Sequence, residues 1–234
     1  MHSLRNIFSL PRKIRARFDE MLLGERDAVA MAALAPLSGP FLPITGYSMR
    51  PSGILSLVND VVINRRRTIV EFGPGLSTIY LARLLRSLGD GGRITSFDHD
   101  AGWLDVLQRQ LAAESLAEFV TLIHAPLVAG DWGMGPAEWY DESLVKKAVP
   151  DAIDLLVVDG PIASDHVRRH ARFPAVPVLR DRLGTRATVV LDDINRSGEL
   201  DVVGRWSAQL GVRFELRRTL GRLAMARIGE GHAV

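Results

Sequence analysis

Thr68-Ile69-Val70-Glu71-Phe72-Gly73-Pro74-Gly75-Leu76-Ser77-Thr78 sets a β-branched run, an acid, two glycines one residue apart and two hydroxyls at the start of a helical pattern. Ile69, Val70 and Phe72 suit a buried parallel strand, and Gly73 and Gly75 allow a tight turn and close backbone approach to a ligand. Ser77 or Thr78 can cap the helix that carries Ile79, Leu81, Leu84 and Leu85, whose free N–H groups face that ligand. The outline is that of a nucleotide-cofactor loop. A dinucleotide fingerprint wants a third glycine where Thr78 stands, which weakens NAD and FAD.

Outward from this loop, short apolar strands alternate with amphipathic segments: 69–72, 94–97, 120–123, 153–158 and 187–191. Helices are expected over 77–88, 103–114, 164–183 (bent near Pro174 and Pro177) and 198–210. That alternation predicts a parallel sheet covered on both faces. Two last strands, 213–218 and 223–228, turn at Leu220-Gly221 and read as a hairpin. Before the core, Ile54, Leu55, Leu57, Val58, Val61 and Val62 have helical spacing, ending at Arg65-Arg66-Arg67 where cations complement the helix dipole.

Residues 1–50 read as an accessory helical arm, with a helix over 27–37, and residues 51–234 as the main domain. In the arm, Arg5, Arg12, Lys13, Arg15 and Arg17 precede the first acid, Asp19, among Leu4, Ile7, Phe8, Leu10, Ile14 and Phe18. Such a segment could rest on an anionic membrane surface, act as a transit peptide, or pack on its own domain or a partner, with Pro11 interrupting any long helix.

At 234 residues, with 47% hydrophobic and 24% charged, the chain has the composition of one large folded α/β domain plus an extension. Its 29 basic and 27 acidic residues leave a net charge of +2, which gives nucleic-acid binding little support, and none is expected. Cysteine is absent, removing disulfides, thiolate zinc sites and cysteine nucleophiles together. No apolar run reaches the roughly eighteen residues of a spanning helix, so a cytoplasmic location is the expectation.

In an open α/β sheet, ligands gather beyond the carboxyl ends of the strands. Asp98 closes the second strand 25 residues after Gly73, where an acid would accept both ribose hydroxyls of a nucleoside; Asp100 competes for that role or for a helix cap before Trp103. Asp159 follows the fourth strand, and Asp192-Asp193 the fifth. On neighbouring strands about 4.8 Å apart, these carboxylates converge and repel unless protonated or shared by a cation. An all-oxygen site of that kind suits Mg²⁺.

The run Glu71 to Thr78 resembles motif I of the class I S-adenosylmethionine (SAM) dependent methyltransferases, with Ser77 in place of the usual third glycine. The resemblance implies a Rossmann-like seven-stranded sheet whose last strand is inserted antiparallel. It implies cofactor contacts from Glu71, Gly73, Pro74, Gly75, Ser77, Thr78 and Asp98, with His99, Ala125 and Pro126 flanking the adenine. Asp159, Asp192 and Asp193 are similar to the Mg²⁺ ligands of catechol- and macrocin-type O-methyltransferases. The lysine base of the catechol type would fall at Ile162, so His166 or His170 is the substitute. Gly160-Pro161-Ile162, Ala171-Arg172-Phe173-Pro174-Ala175-Val176-Pro177 and Leu191-Asp192-Asp193-Ile194-Asn195-Arg196 resemble a bacterial subgroup of this class. Trp132, Trp139 and Tyr140 are candidates for a substrate wall.

The expected reaction is methyl transfer from SAM to a hydroxyl of a small molecule such as a sugar or polyol, with Asp159 and His166 at the chemistry and Mg²⁺ assisting. Other readings are a metal-independent N-methyltransferase and a non-catalytic cofactor-binding partner subunit. The oligomeric state is open.

Overall fold

The computed structural model describes residues 12–42 and 44–234. Residues 1–11 of the basic opening, with Arg5 and the expected break at Pro11, therefore lie outside the described residues. The helix α1 runs unbroken over Arg12–Ala33, longer and earlier than the helix expected at 27–37, and a single 3₁₀ turn follows at Ala35–Leu37. Leu23, Ala30 and Leu34 bury one side of this segment, and α1 packs against α2 (Pro51–Ile63). Asp27 fixes the join: its carboxylate accepts from Arg50 Nε (2.8 Å), Ser52 N (3.1 Å) and Ser52 Oγ (2.5 Å).

The core follows the order β1 (Thr68–Phe72), α3 (Leu76–Leu88), β2 (Arg93–Asp98), α4 (Ala101–Ala113), β3 (Val120–His124), β4 (Leu127–Asp131), β5 (Pro136–Tyr140) and α5 (Glu142–Ala148). It continues with β6 (Ile153–Val158), α6 (Ala175–Leu179), β7 (Leu183–Leu191), α7 (Ser197–Leu210), β8 (Glu215–Arg217) and β9 (Leu223–Ile228). Seven strands form one sheet in the order β3-β2-β1-β6-β7-β9-β8. Strands β1, β2, β3, β6 and β7 pair in parallel, and β9 is inserted antiparallel to both β7 and β8. The mostly parallel sheet with an antiparallel last strand is the expected architecture.

Both sheet faces are buried. Ile69, Leu155 and Val157 point to the layer built by α2, α3 and α4. Val70, Leu156 and Val158, offset by one residue, point to the layer of α5, α6 and α7. The chain leaves β1 toward β2 and β3, then returns to β6 on the other side. That reversal opens a crevice at the carboxyl ends of β1 and β6, where open α/β sheets bind ligands.

Two elements depart from expectation. The helix expected over 164–183 is a series of turns followed by the five-residue α6 and a 3₁₀ turn at Arg180–Arg182. Asp165 draws its carboxylate onto the N–H groups of Val167 and Arg168, and neither Pro174 nor Pro177 can donate to a helical ladder. The segment between β3 and β6 holds an antiparallel hairpin, β4 with β5, and the short α5. Among the described residues no helix is long and apolar enough to cross a membrane.

Candidate active site

The loop after β1 is held from below. Glu71 is fully buried, and its carboxylate accepts from Ser77 Oγ (2.6 Å), Thr78 Oγ1 (2.6 Å) and Ser96 Oγ (2.8 Å). Burial pushes its pKa up, opposed by those three hydroxyls. Thr78 Oγ1 also accepts from Gly75 N–H (2.8 Å), so Glu71, Thr78 and Gly75 form one hydrogen-bonded chain. Trp103 secures the loop from above, donating its indole N–H to Pro74 O (2.7 Å). Glu71, Ser77 and Thr78 thus shape the loop through their side chains.

Gly73 has φ +82°, and a Cβ there would lie 2.8 Å from the Asp159 carbonyl carbon and from Gly160 N. A Cβ on Gly160 would run into Gly73 and the Tyr140 hydroxyl. The β1 and β6 loops therefore cross backbone to backbone. Gly75 differs, because a Cβ on it would meet no atom of the described residues within 4 Å. That open space is where a ligand can touch the main chain.

Asp98 ends β2 beside this loop. Its Oδ1 accepts from Asp100 N (2.8 Å) and lies 3.2 Å from His99 Nδ1, while among the described residues nothing hydrogen-bonds Oδ2. Burial raises its pKa. Asp100 caps α4 by accepting from Trp103 N (3.0 Å), which leaves Asp98 as the free acid of the pair. His99 O lies 3.1 Å from His124 Nε2, and Ala125 N donates to Asp98 O (2.8 Å), so His99, Ala125 and the exposed Pro126 sit along the crevice's β2–β3 side.

The ends of β6 and β7 do bring Asp159, Asp192 and Asp193 together, and a cation stands among them that sequence reading missed. It is Arg172, 4% exposed. Its Nη2 lies 3.2 Å from Asp159 Oδ1 and its Nη1 3.0 Å from Asp193 Oδ2; it also donates to the carbonyls of Asp159 (2.7 Å), Pro161 (3.2 Å) and Asp192 (3.3 Å). Arg196 Nη1 adds a second contact to Asp193 Oδ2 (2.9 Å). The expected Mg²⁺ does not fit this donor set, since one oxygen of Asp159 and one of Asp193 already face guanidinium groups, Asp192 Oδ1 accepts from Asp193 N–H (2.7 Å), and the buried Arg172 places a fixed positive charge among them. No group of metal-holding side chains forms among the described residues.

Burial, with Asp192 as the next cause, drives the Asp159 pKa well up, and burial together with Asp193 pushes Asp192 up to about 7. The folded Asp192 thus binds its proton more tightly than the unfolded residue, with its ordinary pKa near 3.8. Its stability contribution is fully present below pH 3.8 and lost as pH rises through 7, a swing of up to about 4 kcal/mol. Asp192→Asn should melt above wild type at pH 8, keep a smaller part of that advantage at pH 5 and lose it below pH 3.8 in thermal denaturation.

His166 is exposed on the turns after Pro161, and no described residue hydrogen-bonds its ring; His170 faces Asp201 (3.2 Å). Neither touches the carboxylates. Tyr140 is fully buried, and its hydroxyl lies at the Gly73–Gly160 crossing without a hydrogen-bond partner among the described residues. Burial and nearby Asp98 keep that hydroxyl protonated. Trp139 and Tyr140 pack on Phe72, so the expected wall is largely core.

Beside Asp192 and Asp193 a cavity of about 310 Å³ opens, lined also by Thr45, Ser48, Arg50 and Arg222. Arm and core meet there.

A family model described as a methyltransferase domain matches residues 70–194. No curated protein matches the chain. Among solved structures, the SAH-bound methyltransferase of Podospora anserina is 14% identical, with 94% of this chain and 98% of that one covered at TM-score 0.58. The O-methyltransferase TomG from Streptomyces achromogenes, involved in tomaymycin synthesis and solved with SAM, is 17% identical over 88% and 90% at 0.54. A Bacillus cereus O-methyltransferase in complex with SAH is 16% identical over 89% and 90% at 0.52.

Proposed function

The chain belongs to the SAM-dependent class I methyltransferases, and from that premise we propose that it methylates a hydroxyl oxygen of a polar small molecule in the cytoplasm. The observation that carries this reading is the crevice itself: the glycine loop and the free Oδ2 of Asp98 stand on one side, and Asp159 on the other.

When bound, SAM supplies a methyl carbon made electrophilic by its sulfonium. Asp98 would accept from ribose hydroxyls and the Gly75 backbone would lie along the cofactor. The chemistry SAM would supply is transfer of that methyl to the acceptor oxygen, the S–CH₃ electron pair staying with sulfur as the O–CH₃ bond forms. The acceptor's proton would go to Asp159, the carboxylate that stands at the crevice end of β6 with Arg172 on its Oδ1. In-line positioning supplies much of the rate. The cavity between Thr45, Ser48, Asp192 and Arg222 is the acceptor's entrance, and its polar walls favour a hydroxylated molecule such as a sugar.

Calorimetric titration with S-adenosylhomocysteine (SAH) tests the reading. Wild type should bind saturably, and Asp98→Ala should bind about 10- to 100-fold more weakly, the loss of charge-assisted hydrogen bonds. Sugars and catechols are then the first acceptors to assay. No binding by wild type would sink the proposal.

A further inference from the structure

We propose that Arg172 is the resident counter-cation of the acceptor site, performing for Asp159 and Asp193 the task that a divalent metal performs in metal-dependent relatives. The inference rests on the acceptor-site reading, because it treats these carboxylates as partners of the acceptor hydroxyl.

Arg172 is built in. Its guanidinium reaches two carboxylates and three carbonyls contributed by both strand ends, 159–161 and 192–193. A planar fork of donors is suited to such a spread of oxygens, whereas a lysine ammonium, a point charge with three donors, cannot span it. The turns over 165–174 in place of a helix are what carry Arg172 inward to these strand ends. Arg196 adds a second guanidinium on Asp193 and also approaches Glu199 (3.5 Å).

Charge arithmetic then separates this site from a metal site. With Arg172 in place, a divalent ion entering between Asp159 and Asp193 would meet a fixed positive charge at contact distance. With Arg172 removed, the same carboxylates lose their main partner and repel one another, the condition under which acidic groups gather a cation. Arg172 is thus a positioning residue that sets the direction and charge state of Asp159.

Mn²⁺, followed by its electron paramagnetic resonance signal, is the probe. Wild type should leave Mn²⁺ free at millimolar concentration. Arg172→Met should bind one Mn²⁺ on the order of a hundredfold more tightly, the effect of removing one opposing charge, and Arg172→Met with Asp193→Asn should lose that gain. In thermal melting the double variant should melt above Arg172→Met alone, a readout that holds even where the single variant is too unstable to titrate. One Mn²⁺ bound by wild type and released in Asp193→Asn would overturn the proposal, as would a folded Arg172→Met with no gain. SAH titration of the same wild-type preparation keeps the two questions apart: failure there removes the methyltransferase reading and leaves the Mn²⁺ result to judge Arg172.

Discussion

Replacing Gly73 by alanine should abolish SAH binding and lower the melting temperature together, whereas the same change at Gly75 should cost affinity alone. At Gly73 two penalties add. An alanine at φ +82° costs about 1–2 kcal/mol, and its Cβ would press on the backbone of Asp159 and Gly160, which has no flexible end to move aside. Relief requires the β6 loop to retreat, carrying Asp159 away from the crevice. Several kcal/mol is the expected total, or about 10 °C in a chain of this size. At Gly75 the backbone is extended and the space around a Cβ holds no atom of the described residues, so the fold should melt within a degree or two of wild type, about 0.5 kcal/mol. SAH affinity should still fall at least about tenfold, because the methyl group takes ligand space. Calorimetry and thermal melting of the two variants decide the matter: equal melting temperatures, or unchanged affinity in Gly75→Ala, would show that the loop does not meet the cofactor as described.

Glu71→Ala should be the most destabilising single change in the cofactor loop, at about 3–5 kcal/mol. Three hydroxyl groups would lose their acceptor in a fully buried place, and a cavity would open beneath the turn. The Thr78 hydroxyl, no longer held by Glu71, would also release Gly75 N–H. Glu71→Gln should cost only about 1 kcal/mol, since burial already favours the uncharged acid, and an amide oxygen can accept from Thr78 and Ser96 while its NH₂ donates to the Ser77 hydroxyl. Chemical denaturation of both variants checks this. A Glu71→Gln loss as large as that of alanine would mean that the negative charge, and not the hydrogen bonding, holds the loop.

Much of this architecture was legible in the sequence because strands of a covered parallel sheet leave short apolar runs, and five such runs are present, even at the part-exposed edge strand β3. The acids at the strand ends were legible for the same reason, since topology forces them to one edge. Asp98 was separable from Asp100 only by the cap that Asp100 makes. Arg172 was hidden because it lies on turns that read as a helix, and its quoted phrase gave resemblance without direction. A lone arginine 13 residues beyond Asp159 carries no periodic signal; only the pair of prolines after it warned that a regular helix would not form there. The β4–β5 hairpin escaped because its strands are short, yet Gly133 and Gly135, both at positive φ, mark its turn.

The cavity that joins arm and core has one further consequence. Of the residues lining it, Asp192 and Asp193 lie within the family-matched span of 70–194, while Asp27, residues 44–46 and 48–51, Gly221 and Arg222 lie outside it. If the acceptor enters here, as proposed, kinship transmits the donor half of the reaction and leaves the recipient to be chosen largely by walls outside the matched span. On that reading, a change of customer would need divergence only at Asp27, along 44–51 and at 221–222, with the glycine loop and Asp98 left as they are.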